Sequence, residues 1–250
     1  MRTTSFLAVT LFSGMVAGIL LGLINQIMVE PFIDKAIDIE TRRDIAKGDV
    51  IISTQQGQYR IWQKVGEVLA AGLYGIAVSA LFGIVFVYSR NVLPGSSNKN
   101  KALFLTAVMF FVLFLVPALK YPANPPAVGD PSTIYYREIL FIEFISISGL
   151  STLILALAYN RKKIFASSTN IPTKKKLLIP LIYATIMTAT YLMFPPNPDK
   201  ITIPIDLIIS FRVVSAFSVG VFWGLLGAII GILWDKVKLH ETSKITSSSV

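Results

Sequence analysis

Long apolar segments alternate with short polar ones along the chain. A helix that crosses a hydrocarbon core of about 30 Å needs roughly 20 apolar residues. The pattern therefore predicts an all-α integral membrane protein, a bundle of about six transmembrane helices, whose fifth span is short and has Pro180 near its start. The six predicted spans cover residues 5–29, 65–89, 102–119, 139–159, 177–194 and 207–234.

The segment after the first span has a periodicity of its own. Apolar residues recur at Phe32, Ile33, Ala36 and Ile37, with charged residues between them. This is the i, i+3, i+4 pattern of an amphipathic helix. We expect residues 31–40 to form such a helix at the membrane interface.

The composition fits a membrane protein. Hydrophobic residues make up 54% and charged residues 15% of the chain, whereas about a quarter of residues are charged in soluble domains. There is no cysteine and a single histidine, His240, which excludes disulfides and thiolate metal sites and removes most histidine-based metal motifs. The net charge of +9 fits membrane topology and attraction to anionic lipid, and we expect no nucleic-acid partner. Residues 1–240 are expected to form a single transmembrane helical domain, followed by a flexible polar tail, residues 241–250.

Basic residues are concentrated in alternate loops. In a chain of six spans, the basic loops 90–101 and 161–176 and the C-terminal tail lie on one side. Because basic loops face the cytoplasm, we expect a multi-pass protein of the cell membrane with both termini in the cytoplasm. Two proline-rich stretches, residues 120–131 and 195–198, are then expected on the outer side.

The first and last spans carry glycines at helical spacing. Small residues on one face allow another helix to approach closely. We expect these faces to pack tightly within the chain, or to form a homo-oligomer through the glycine-rich faces. The glycines are Gly14, Gly18 and Gly22 in the first span and Gly220, Gly224, Gly227 and Gly231 in the last.

The proline-rich stretch 120–131 holds four of the 13 prolines. Proline fixes φ and removes an N–H, so this stretch is neither a helix interior nor an inner strand. A proline-rich run is stiff and carries free carbonyls, and it can hold a non-helical shape at a membrane edge where it lines a wet cavity. The alternative is a rigid turn that only connects two spans.

Three segments resemble one known family. Residues 120–130, followed by Pro131, Thr133 and Arg137, resemble the signature loop of the predicted cobalt transporter subunit family, CbtA. Residues 29–36 and 211–215 resemble that family's segments after the first helix and at the start of the last one. The resemblance implies a membrane subunit of a transporter for cobalt or a related divalent metal, with no cofactor besides the transported metal. It also implies a small one-span, His-bearing companion subunit.

Ionisable residues within the spans collect at the ends that this topology places outside. A charge inside the bilayer is costly and normally faces protein or water, so we expect an outward-facing pocket roofed by the two proline-rich stretches. Its expected metal ligands are Glu30, Asp34, Asp130 and Glu143. Its expected pathway residues are Lys120, Tyr121, Asn124, Arg137, Glu138, Arg212 and Glu67.

Several interpretations stay open for these residues. Carboxylates suit Mg²⁺, Ca²⁺ or Mn²⁺ better than a tight and selective Co²⁺ site. Glu143 and Arg212 are expected to pair, whereas Glu30, Glu67 and Glu138 also fit helix ends in the headgroup region. A non-transporting scaffold subunit and corrinoid uptake are the alternative functions. An enzyme is not expected, because no nucleophile–base pair is visible.

Overall fold

The computed structural model describes the backbone of residues 3–48, 53–165 and 173–247, and side chains over 3–48, 57–159 and 177–237. The described residues are almost all helical and include no β-strand, which confirms the predicted all-α class. The elements are α1 (Thr3–Met28), α2 (Glu30–Ala46), α3 (Ser53–Ser89), α4 (Asn98–Phe110), a π-helical turn (Phe111–Leu115), α5 (Val116–Lys120), a 3₁₀ turn (Pro131–Thr133), α6 (Ile134–Phe165), α7 (Thr173–Met193) and α8 (Ile205–Ser247).

Five helical segments are long and apolar enough to cross a membrane: Thr3–Met28, Gly57–Ser89, Asn98–Lys120, Pro131–Tyr159 and Ile205–Val237. The apolar part of α7, Leu177–Met193, is shorter. At 1.5 Å per residue it spans about 25 Å, somewhat less than the hydrocarbon core. Five long helices and one short one agree with a bundle of about six.

Most helices extend past the predicted spans, α3 and α8 furthest. Helix α3 begins at Ser53, well before the predicted span start at residue 65, and α8 continues to Ser247, into the segment expected to be a flexible tail. The helix predicted over residues 31–40 is confirmed as part of α2, which runs on to Ala46. Its proline, Pro31, lies in the first turn, where the missing N–H costs no helical hydrogen bond.

The chain divides into two compact units. Unit 1 comprises Met1–Val108, Asn124–Ala127 and Ile203–Val250, and unit 2 comprises Met109–Ala123 and Val128–Thr202. Whether residues 1–240 act as one domain stays a prediction.

Unit 1 is built on close contact of α1 with α3. A Cβ at Gly75 of α3 would collide with the carbonyl oxygen of Gly14 in α1, and one at Gly18 with the carbonyl of Ala71. Only residues without a side chain allow the two backbones this close. In α8, Gly227 and Gly231 pack against α4 in the same manner, whereas a Cβ at Gly224 would meet no described atom of another helix within 4 Å.

Unit 2 has a small core of its own. Val116, Phe144 and Met187 are buried together, and Tyr121 and Tyr183 are among the side chains packed against them. Phe144 makes edge-on contacts with Tyr121 and with Phe194. Tyr121 lies at the start of the first proline-rich stretch and Phe194 directly precedes the second, so this core anchors the beginning of both.

Candidate functional site

Within unit 2 the two proline-rich stretches contact each other. The Tyr121 hydroxyl donates a hydrogen bond of 2.7 Å to the carbonyl of Pro195. The Lys120 ammonium donates to the carbonyl of Tyr191 at 2.8 Å and lies 4.6 Å from the centre of that ring. Proline-rich loops have carbonyls that no helix uses, and these two predicted pathway residues satisfy two carbonyls at this end of α7.

A buried carboxylate, Asp199, holds this end of unit 2 together. Its side chain is 3% exposed, and Arg137 Nε lies 2.8 Å from Asp199 Oδ2. The Thr133 hydroxyl lies 2.8 Å from Asp199 Oδ1 and 2.8 Å from the carbonyl of Asp130, so its one proton serves one of them at a time. Arg137, a predicted pathway residue, therefore forms an ion pair with Asp199, which was not among the predicted site residues.

Asp130 caps the 3₁₀ turn. Its Oδ1 accepts hydrogen bonds from the Ser132 hydroxyl at 2.7 Å and from the Ser132 N–H at 2.8 Å. These two bonds hold the pKa of Asp130 below its ordinary value. The preceding Gly129 has φ +119°, and a Cβ there would meet the Arg137 guanidinium. Asp130 is exposed, and its Oδ2 has no hydrogen-bond partner among the described residues.

Two further carboxylates lie exposed on α6. Glu138 and Glu143 are both exposed, and neither forms a hydrogen bond or ion pair with another described residue of unit 2. Burial first, and then the neighbouring Tyr136 and Glu143, raise the pKa of the Tyr121 hydroxyl. Glu143 therefore acts electrostatically on the phenol that contacts Pro195.

In unit 1, Arg212 of α8 binds the centre of the first proline-rich stretch. It donates a hydrogen bond of 2.7 Å to the Asn124 side-chain oxygen, and the adjacent Pro125 is fully buried. The expected Glu143–Arg212 pair joins residues of different units and stays a prediction.

The acidic residues at the start of α2 form an ion-pair cluster with the first turns of α3. Arg60 donates to Glu30 and, at 2.7 Å, to Asp34, and the Lys64 ammonium lies 2.8 Å from Asp34. Burial alone would raise the pKa of Asp34, but the hydrogen bonds from Lys64 and Arg60 outweigh it and hold that pKa below its ordinary value. We call these four residues the α2–α3 ion-pair cluster.

Glu67 lies one turn beyond this cluster. Its Oε2 accepts a hydrogen bond of 2.6 Å from the Gln26 side chain, which also donates to the carbonyl of Lys64. Among the described residues, no three Asp, Glu or His side chains are close enough together to hold a metal ion. Two of the four expected ligands lie in each unit, and the metal-site assignment stays a prediction.

Sequence reasoning missed the cations that face the expected ligands. Arg60 and Lys64 precede the predicted start of the second span and belong to α3. Their spacing of four residues, on one helical face, was the available signal. Asp199 carried no comparable signal, because a single aspartate in a proline-rich loop is normally solvated.

One of the three comparisons with known proteins identifies a family. No match is found among curated proteins or among solved structures. Residues 3–235, nearly the whole chain, match the family model described as "Probable cobalt transporter subunit (CbtA)". This chain belongs to the CbtA family, and it is a multi-pass membrane protein of that family of transporter subunits.

Proposed function

We propose that this chain is the membrane subunit of a transporter that takes up cobalt or a related divalent cation. The observation that carries the proposal is the family match over residues 3–235. The proposed orientation places the proline-rich stretches outside and both termini in the cytoplasm, following the distribution of basic residues.

For unit 2, we propose that Asp130 and Glu143 attract the cation. Both are exposed, and Asp130 is held ionised by its hydrogen bonds to Ser132. For unit 1, we propose that Glu30 and Asp34 exchange Arg60 and Lys64 for the arriving cation. The exchange is electrostatically reasonable, because one divalent ion replaces two single positive charges.

We further propose that a companion subunit completes the transporter. The chain has one histidine, His240, whereas selective sites for Co²⁺ and Ni²⁺ commonly use imidazole. The family description as a subunit supports an assembly with other proteins. A small one-span, His-bearing companion would supply the missing ligands, and any homo-oligomer would use the open surface at Gly224.

The test is uptake of radioactive cobalt by cells that produce the chain with and without its companion. Asp130→Asn and Glu143→Gln are expected to lower the initial rate by about tenfold, the usual effect of losing a ligand-sphere group. Asp38→Asn is the matched control, since its pair with Arg42 is exposed and contributes little. Absence of cobalt uptake with the companion present would favour a non-transporting scaffold subunit. Uptake of a labelled corrinoid instead of cobalt would favour corrinoid transport.

A further inference from the structure

A cavity of about 440 Å³ opens in unit 1 at the end of the bundle where α3 stops and α4 starts. Its volume lies within the range of small-molecule sites, about 300–1,000 Å³. Basic, amide and aromatic side chains all contribute to its lining. The lining residues are Thr3, Phe6, Val87, Arg90, Asn91, Asn98, Lys101 and Trp234.

Two positively charged side chains, Arg90 and Lys101, line this cavity. Neither Arg90 nor Lys101 forms an ion pair within the part of the chain that the structure describes. The Arg90 guanidinium lies 5.7 Å from the Trp234 ring, and the Lys101 ammonium donates to the Arg90 carbonyl at 2.8 Å. Both cations are therefore held in place by contacts that leave their charge unneutralised.

The polar and apolar walls determine which ligand fits. Asn98 uses one N–H on Asp235 at 2.9 Å, and the Asn91 amide is exposed. The aromatic part of the lining is formed by Phe6 and Trp234, which pack edge-on with ring centres 5.2 Å apart. An anion with oxygen acceptors satisfies the basic wall, and phosphate geometry matches an arginine donor pair.

We propose that this cavity binds a phosphate group, carried either by an anionic lipid headgroup or by free phosphate. The site is independent of the proposed metal path, because it shares no residue with it. The positive charges attract the phosphate, and the aromatic wall accommodates an attached apolar portion.

The test is native mass spectrometry of the purified full chain with dioctanoyl phosphatidylglycerol, dioctanoyl phosphatidylcholine and inorganic phosphate. Arg90→Gln with Lys101→Gln should weaken binding of the anionic probe by about tenfold. Lys101→Gln alone, which keeps the Arg90–Trp234 contact, should weaken it by a smaller factor. Lys35→Gln with Arg42→Gln removes the same charge from exposed positions of α2 and should leave binding unchanged, and thermal melting checks that each variant is folded.

The probes distinguish the two sources of phosphate. Binding of phosphatidylglycerol without inorganic phosphate supports a lipid headgroup site, and binding of inorganic phosphate with the same dependence on the variants supports a site for free phosphate. The proposal is overturned if the folded Arg90→Gln/Lys101→Gln variant binds the anionic probes as well as the wild type. It is also overturned if phosphatidylcholine and phosphatidylglycerol bind equally and no substitution matters.

Discussion

Among the side chains that the structure describes, Glu30 and Asp199 are carboxylates almost fully removed from solvent, and an arginine faces each of them. The Glu30 side chain is 7% exposed and contacts Arg60, and the Asp199 side chain is 3% exposed and contacts Arg137. A buried charge is tolerated only with a partner, and removal of one partner leaves the other uncompensated. Both carboxylates therefore stabilise the fold, whatever else Glu30 does during transport.

Asp199→Asn is expected to lower the free energy of unfolding by about 2 kcal/mol, because Arg137 loses its counter-charge while it stays partly buried. Thermal melting in detergent measures the effect. Lys200→Gln, an exposed neighbouring substitution, should leave the melting temperature unchanged. Equal melting temperatures for the two variants would show that the Asp199–Arg137 pair contributes nothing to stability.

The sequence predicted where charges gather but not which charges pair. Glu30 and Asp34 stand out because they follow directly on an apolar span. Their partners Arg60 and Lys64 are 30 residues away, and no local pattern connects the two segments. Pairing over such a distance depends on how α2 is placed against α3, which periodicity does not describe.

At the level of elements, Pro117 explains the π-helical turn in the third span. The Val116 N–H donates to the carbonyl of Phe111, five residues back. In that register the Val112 carbonyl would accept a hydrogen bond from the N–H of residue 117. Residue 117 is a proline and has no N–H. The Ser148 hydroxyl donates to that carbonyl instead at 2.6 Å, and its oxygen lies 2.8 Å from the Tyr183 hydroxyl.

Ser148→Ala should therefore destabilise the protein by about 1–2 kcal/mol, because it leaves the Val112 carbonyl buried and unsatisfied. Pro117→Ala supplies an N–H for the same carbonyl, so the double variant should lose less than Ser148→Ala does alone. Melting temperatures of the two single variants and the double variant measure this coupling. Ser151→Ala is the control, and additive losses would contradict the assignment.

The α2–α3 ion-pair cluster can be tested in the same way. Glu30→Gln leaves the partly buried Arg60 with Asp34 as its remaining carboxylate, and Arg60→Gln leaves Glu30 buried and charged. The double variant removes both charges, and a coupling of about 1–3 kcal/mol is expected between the two positions. Denaturation of the three variants at pH 7 measures it, and a coupling near zero would mean that α2 is held by its other contacts.

Helix existence followed from the sequence, whereas helix ends did not. Apolar periodicity located α2 and every long span, because burial in lipid demands it. It placed the start of the second span at residue 65, while α3 begins at Ser53. Polar residues can extend a helix beyond the hydrocarbon core at little cost, and hydropathy is insensitive to such an extension.

At the scale of the molecule, apolar pattern and loop charge predicted a bundle of about six helices, and the structure has five long spans and one short one. The division into two units was not predictable. Residues Asn124–Ala127 belong to unit 1, whereas the residues on either side of them belong to unit 2. Asn124 contacts Arg212, which is far away along the chain, and no local pattern predicts such a contact. Small-residue spacing identified the face of α1 that packs, but not that α3 would be its partner.

The predicted orientation can be measured directly, because the chain has no cysteine and an introduced thiol is its only one. Lys200 lies beside the second proline-rich stretch and Ser96 lies in the loop between α3 and α4, and both are exposed. The two single variants are Lys200→Cys and Ser96→Cys. Since basic loops stay in the cytoplasm, an impermeant maleimide should label the thiol at 200 on intact cells and the thiol at 96 only after lysis. The reverse pattern would place the proline-rich stretches inside the cell. Labelling of both on intact cells would put the two loops on one side, which contradicts six spans.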